Sequence, residues 1–311
     1  MFCSIIIPTI GRDSLTRAVS SVLDQTFDLS LFEIIVVNDS GRPLPPADWQ
    51  KSNQVRILQT TRRERSVARN AGAAIAQGSY LGFLDDDDWL LPGALTILWE
   101  LSQQLPNAAW LYGAIQVIDD ATGACLAEVN SSLNGNCFAQ IMGDAWAPIQ
   151  ASLISSKAFF QVGGFNPLIA STEDLDLCRR IAFYGDFANT QQPIACLSRG
   201  NLWQTSTDYD RAPENTLLSR NNVLAEPGAF SRLMASADAA YWYGRITRVY
   251  LSTIKWNWRH GQITTGLSRT LYAILGLIRS GHHLFSAEFW EGVKAHHVPN
   301  SLHHIVNSST K

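Results

Sequence analysis

The chain has 311 residues, 46% hydrophobic and 16% charged, a composition that excludes a disordered polymer and allows a sizeable buried core. A formal net charge of −3 argues against a nucleic-acid binder. The five cysteines show neither zinc nor redox spacing and read as core residues in a reducing compartment. Met1 leads directly into a strand-like segment, and the longest apolar run near the C-terminus, 271–278, is far short of a bilayer span. The expectation is a cytoplasmic protein, at most apposed to the inner face of a membrane.

In chain order, Cys3-Ser4-Ile5-Ile6-Ile7 is an apolar run of the kind buried on both faces of a parallel sheet, and it stops at Pro8-Thr9-Ile10-Gly11. Leu15, Val19, Val22 and Leu23 then recur at helical spacing, with Asp13 as the candidate cap. A second buried strand over 32–37 ends in Asn38-Asp39-Ser40-Gly41, and a short third covers 55–58. Residues 66–76 read as an alanine-rich helix closed by Gly78. A strand over 80–84 runs into Asp85-Asp86-Asp87-Asp88-Trp89, and Pro92 opens a helix to about 104. Strands alternating with helices predict a doubly wound, mostly parallel α/β sheet.

Four adjacent carboxylates repel one another, and a hard cation among them offsets that repulsion. The alternative is a solvated turn whose Asp caps the next helix. Thr9, Asp39 and the acidic run each follow a strand. Ligands of open α/β sheets bind beyond the carboxyl ends of the strands, so the three clusters should converge on one site. Neither G-x-G-x-x-G nor a Gly-Lys-Ser/Thr phosphate loop occurs, so a diphosphate ligand would need a metal to balance its charge.

Beyond 105 the pattern changes to a mixed sheet suited to an acceptor side, with strands over 108–117, 125–129 and 148–154 and a bend at Gly163-Gly164-Phe165. Leu175, Cys178, Ile181 and Ala182 then share one helical face, with Glu173 and Asp174 in the first turn, where the helix dipole favours a carboxylate. Two readings stand: a capping box of Ser171 and Asp174, or a general base facing the cleft.

Four pieces now occur in one order: Ser4-Ile5-Ile6-Ile7-Pro8-Thr9; Ile34-Ile35-Val36-Val37-Asn38-Asp39-Ser40; Ala68-Arg69-Asn70-Ala71-Gly72 with Phe83-Leu84 and the four acids; and Glu173-Asp174. Over roughly residues 2–200 the chain resembles the family 2 glycosyltransferases of the GT-A fold, inverting enzymes that use nucleotide-sugars. The resemblance implies that Pro8, Thr9 and Asp39 line a base and ribose pocket, bordered by Arg69 and Asn70, with Arg69 also near the diphosphate. It implies that Asp85-Asp86-Asp87 is the D-x-D element, Asp85 holding the ribose and Asp87 a Mg²⁺ or Mn²⁺ ion, with Asp86 and Asp88 the competing registers. Asp174, beside Glu173, would be the catalytic base for transfer of a single sugar from a nucleoside-diphosphate sugar, UDP being the commonest carrier, to a glycan or lipid-linked hydroxyl. The chain departs from the family pattern at Asn38, where many relatives carry an acid. It departs again after the strand near 193–197, where Arg199 stands in for a histidine. The Q-x-x-R-W element of processive synthases is absent, although Trp203 lies nearby. A catalytically degenerate scaffold subunit at a membrane is the alternative function; a phosphoryl-transfer enzyme lacks any nucleophile pattern or phosphate cradle.

The division expected is a catalytic domain over 1–210 and a helical, basic extension over 211–311. Residues 241–311 carry eight Lys and Arg against two acids, and the first 240 carry 16 against 25. The aromatic and basic segments 241–259 and 267–284 suit either a membrane interface or, as the favoured reading, packing of their apolar faces on the catalytic domain. The histidine pairs lack zinc-site spacing, and the chain from about Asn300 reads as disordered.

Overall fold

The computed structural model describes residues 1–61, 64–169, 171–199, 212–236 and 239–294. Strand β1 (Cys3–Thr9) is buried along its whole length, because it lies between two parallel neighbours, β2 (Phe32–Asn38) and β4 (Tyr80–Phe83). Alternating side chains point to opposite faces, and both faces are covered. Ile5, Ile7, Ile34 and Val36 pack beneath helix α1 (Leu15–Leu23), whereas Ile6, Ile35 and Val37 pack beneath α2 (Arg65–Ile75). Strand β3 (Val55–Gln59) continues the parallel half beside β2. A Cβ on Gly72 would lie 2.6 Å from Ile6 Cγ2, so α2 sits close on the sheet and delivers Arg69 to the strand ends.

Past β4 the sheet becomes mixed. Strand β8 (Ser152–Ser155) is antiparallel to β4, β6 (Trp110–Asp119) is antiparallel to β8, and β9 (Phe187–Arg199) is parallel to β6. Strand β7 (Cys125–Val129) hangs on β6, and the two-residue β5 (Trp89–Leu90) closes the far edge against β9. The order is β3-β2-β1-β4-β8-β6-β9-β5. This is the expected parallel half joined to a mixed half.

Several boundaries differ from the sequence reading. Helix α1 begins at Leu15 with Ser14, not Asp13, at its cap. Pro92 does not open the next helix: Gly93 adopts φ 81° in a turn, and α3 (Ala94–Gln104) begins after it. The third mixed strand starts at Ser152, because Ile149–Ala151 forms a short 3₁₀ turn. The two-residue β5 had no signal of its own; its pairing with Ala195 and Cys196 is a tertiary contact.

The remaining helices are α4 (Phe138–Met142), α5 (Ser156–Gln161), α6 (Glu173–Tyr184), α7 (Ala212–Leu224), α8 (Ala229–Met234), α9 (Ala239–Arg259), α10 (Ile263–Ser280) and α11 (Ala287–Lys294). Leu217, Leu233, Trp242, Ile246, Val249 and Phe289 join Phe138, Leu177 and Ile181 in one continuous core. Burial of α9 follows the packing expected of it. Helix α10 does so only in part: Leu277 packs against the core, whereas Ile263, Leu267, Leu271, Ile274 and Ile278 face out. The expected boundary near 210, Trp203, His296-His297, His303-His304 and the tail from Asn300 lie outside the described residues.

Candidate active site

The three strand-end clusters meet. Asp39 donates its amide to Thr9 O at 2.8 Å, and the Thr9 hydroxyl donates to Asp86 Oδ2 at 2.5 Å. Pro8, one residue earlier, is buried in β1 opposite Val37. The Asp39 carboxylate accepts from the Thr60 hydroxyl at 2.9 Å and from the Glu64 amide at 2.7 Å, which holds the loop before α2 over the end of β2. Glu64 in turn caps α2 by accepting from Ser66 N and Val67 N.

The acidic run does not act as four equivalent groups. Asp86 turns inward to Thr9 and to Arg12 Nη1 at 2.8 Å. Carboxylate oxygens of Asp85, Asp87 and Asp88 instead lie within 4.8 Å of one another. Of the two competing registers, Asp86 is thereby drawn away from the cluster and Asp88 joins it. Asp88 is buried and accepts from Ser198 N at 2.9 Å, a contact made possible where β5 meets β9. Burial pushes the Asp88 carboxyl well above its usual range; Asp85 and Asp87 add to the push, while Ser198 and Arg199 oppose it. Burial likewise raises Asp86, and burial together with Asp85 raises Asp87. For Asp85 burial also pulls upward, but the Arg69 guanidinium, backed by Arg65 and Arg12, outweighs it and holds the carboxyl below its ordinary value.

Arg69 connects this loop to the start of α6. Its side chain is 2% exposed and forks between Asp85 Oδ1 at 2.6 Å and Glu173 Oε1 at 3.0 Å, with its guanidinium over the Phe165 ring. Arg65 Nε reaches the same Glu173 oxygen at 2.9 Å. Burial and the neighbouring Asp174 raise the Glu173 carboxyl against the pull of the two arginines. Glu173 therefore faces inward as a partner of arginines. Asp174, the next residue, is half-buried, and its Oδ1 accepts the Leu175 amide at 2.7 Å. The capping box of Ser171 and Asp174 does not form. Thr172 occupies the cap position, and the Ser171 hydroxyl accepts from Asn215 at 2.8 Å. Asn70 is held by the Phe165 backbone at both ends of its amide, 2.8 and 2.9 Å, so it anchors the Gly163-Gly164-Phe165 bend.

Sequence reasoning missed Arg12, which bridges Asp86 and Asp87 at 2.8 Å each. It also missed Arg17, which donates to Asp87 O at 2.8 Å and lies over the Trp89 ring. The available signal was a pair of cations in and after the first strand-to-helix loop, opposite four acids with no other obvious counter-charge. The Asn38 departure has a local cause. Its amide donates to Arg42 O and Gln59 Oε1 and accepts from Ser40, a set that an acid, lacking a donor, could not make. Arg199 ends β9, where it pairs in register with Asp119 and its charge acts on Asp88.

Residues 4–140 match the family model of glycosyl transferase family 2. The chain carries a family 2 glycosyltransferase domain. An uncharacterised glycosyltransferase of Haemophilus influenzae is 26% identical over 184 residues, covering 57% of this chain and 61% of that protein. The poly(ribitol-phosphate) β-N-acetylglucosaminyltransferase TarP of Staphylococcus aureus is 34% identical over 108 residues, covering 32% of this chain and 33% of TarP. The chain thus spans less than two thirds of either relative. Among solved structures, S. aureus TarS 1–349 in complex with UDP-GlcNAc superposes with a TM-score of 0.57 at 15% identity over 81% of both chains. That likeness shows the fold, a GT-A type mixed α/β sheet.

Proposed function

We propose that this family 2 glycosyltransferase moves a single sugar, with inversion, from a nucleoside-diphosphate sugar to a hydroxyl of a glycan or lipid-linked acceptor. The observation that supports the reading is the Arg69 fork, which ties the acidic loop to the first turn of α6, the turn that carries Asp174. Asp174 receives the proton of the attacking hydroxyl, and Glu173, held by Arg65 and Arg69, fixes the helix start that carries it. Thr9 and Asp39 border the nucleoside side of the cleft, and Arg199 adds positive charge toward the diphosphate.

The chemistry of the Asp85, Asp87 and Asp88 oxygens suits a hard divalent cation, Mg²⁺ or Mn²⁺. Such an ion, bound there, would offset the charge of a diphosphate leaving group. Uridine diphosphate is the proposed carrier, supported by the UDP-GlcNAc and UDP complexes of the structurally similar TarS. No helix among the described residues is long and apolar enough to cross a membrane.

The test is transfer by Asp174→Asn, read alongside nucleotide binding. Transfer should fall by at least about 100-fold, the scale of a lost general base, while UDP binding with Mn²⁺ stays within a few-fold of the parent. Near-normal transfer by this variant would remove Asp174 from the reaction.

A further inference from the structure

Helix α10 is packed in reverse of an ordinary surface helix, which turns its large apolar residues inward. The residues it buries are Gly266, Ala273 and Ser280, seven apart and small, and Gly266 abuts the Trp258 ring of α9. Its large apolar residues Ile263, Leu267, Leu271, Ile274 and Ile278 recur at intervals of three and four, and each is between 50% and 68% exposed. Phe285 extends the stripe beyond the helix end at 91% exposure. An apolar band of this length on a protein surface marks an interaction site rather than scattered exposure.

We infer that this stripe is a docking surface for an anionic lipid bilayer, with α10 lying in the plane of the interface. The charge of the surrounding chain selects that occupant. The segment from residue 241 onward carries eight Lys and Arg against two acids, in a chain of net charge −3. Among the described residues of this segment the exposed cations are Lys255, Arg259, Arg279 and Lys294, against the exposed acids Glu288 and Glu291, since Arg245 is buried against Asp144 and Arg269 pairs with Glu214. A second copy would bring the same net positive surface to the contact, whereas an anionic leaflet is complementary to it. Arg279 follows Ile278 directly and is exposed, as are Lys255 and Arg259 at the end of α9. Exposed Trp258, Tyr272 and Trp290 add the amphipathic rings that settle at headgroup depth. The inference does not rest on the transfer reaction: a chain inert toward every sugar donor would still carry this surface.

The experiment is flotation of the full-length chain with vesicles of phosphatidylcholine, alone and with about a third phosphatidylglycerol. The chain should float with the anionic vesicles and lose most of that binding at high salt. The variant Leu271→Glu with Ile278→Glu should bind at least tenfold more weakly at unchanged melting temperature, since both positions are exposed. Should substitution disturb folding after all, brominated lipid should quench tryptophan emission of the unaltered chain. Absence of binding and quenching at every composition would overturn the inference. So would a dimer of the parent chain that the double variant splits, because the stripe would then be a contact between copies.

Discussion

Arg69 illustrates how one side chain can join two parts of a site. Its guanidinium has the fork needed to reach Asp85 and Glu173 at once, and both acids sit in surroundings that burial makes unfavourable for an unpaired carboxylate. Removing the fork by Arg69→Leu should therefore destabilise the chain by about 3–5 kcal/mol, the usual consequence of breaking a buried pair. Arg69→Lys keeps the charge but offers one ammonium in place of two parallel donors, so it should lie between the two in a urea-unfolding series. A neutral Arg69→Leu would mean that water, not arginine, solvates those acids. Arg12 holds Asp86 inward and touches the half-exposed Asp87, so Arg12→Ala should loosen the loop with a smaller effect on folding.

At the scale of elements, a buried charge cluster fastens helices α7 and α9 to α6 and to the turn after α4. Asp144, in a left-handed turn at φ 74°, meets Arg179 of α6, Arg220 of α7 and Arg245 of α9, all essentially buried. Among the described residues, three guanidiniums converge on this one carboxylate. Burial, with Arg179 and Arg245 adding to it, pushes Arg220 down to about 9 against the pull of Asp144. The two signs of substitution should then differ. Asp144→Asn removes the carboxylate that three buried arginines share and should lower stability by about 3–5 kcal/mol in chemical denaturation. Arg220→Met removes a crowded cation and should be close to neutral. Equal losses for both would show that the cluster acts through packing rather than charge. On the same face of the sheet, Gly72→Ala would press a methyl against Ile6 and Val37 and should cost about 1–3 kcal/mol, because α2 cannot rise without moving Arg69.

For the whole molecule, the separation of charge parallels a separation of tasks. The acidic N-terminal part holds the cleft, and the basic C-terminal part carries the outward stripe of α10. If the carboxylate cluster holds a cation that a diphosphate shares, UDP and Mn²⁺ should raise the melting temperature together by more than the sum of each alone. At about 100 times its dissociation constant the ligand adds roughly 2.7 kcal/mol. EDTA should return the UDP-treated chain to the melting temperature of the free one. A UDP-induced shift that EDTA leaves unchanged would separate nucleotide binding from the acidic cluster.

The centre of the parallel half was legible in the sequence because β1 and β2 are buried on both faces and so read as continuous apolar runs, as in Ile5-Ile6-Ile7 and Ile34-Ile35-Val36-Val37. Strand-end polar residues announced the cleft for the same reason: a buried run that stops at Thr9, Asp39 or Asp85 must stop where the sheet ends. What lay beyond sequence was every decision made between distant segments. Which of four adjacent acids turn together depended on Thr9, Arg12 and Ser198, up to 110 residues away along the chain. The inward role of Glu173 depended on Arg69, 104 residues earlier. The outward face of α10 could not be told from an inward one, since helical periodicity identifies an apolar stripe but not what covers it. Local pattern determined the elements and the ends of the strands; contacts between distant residues decided which side chains share the site.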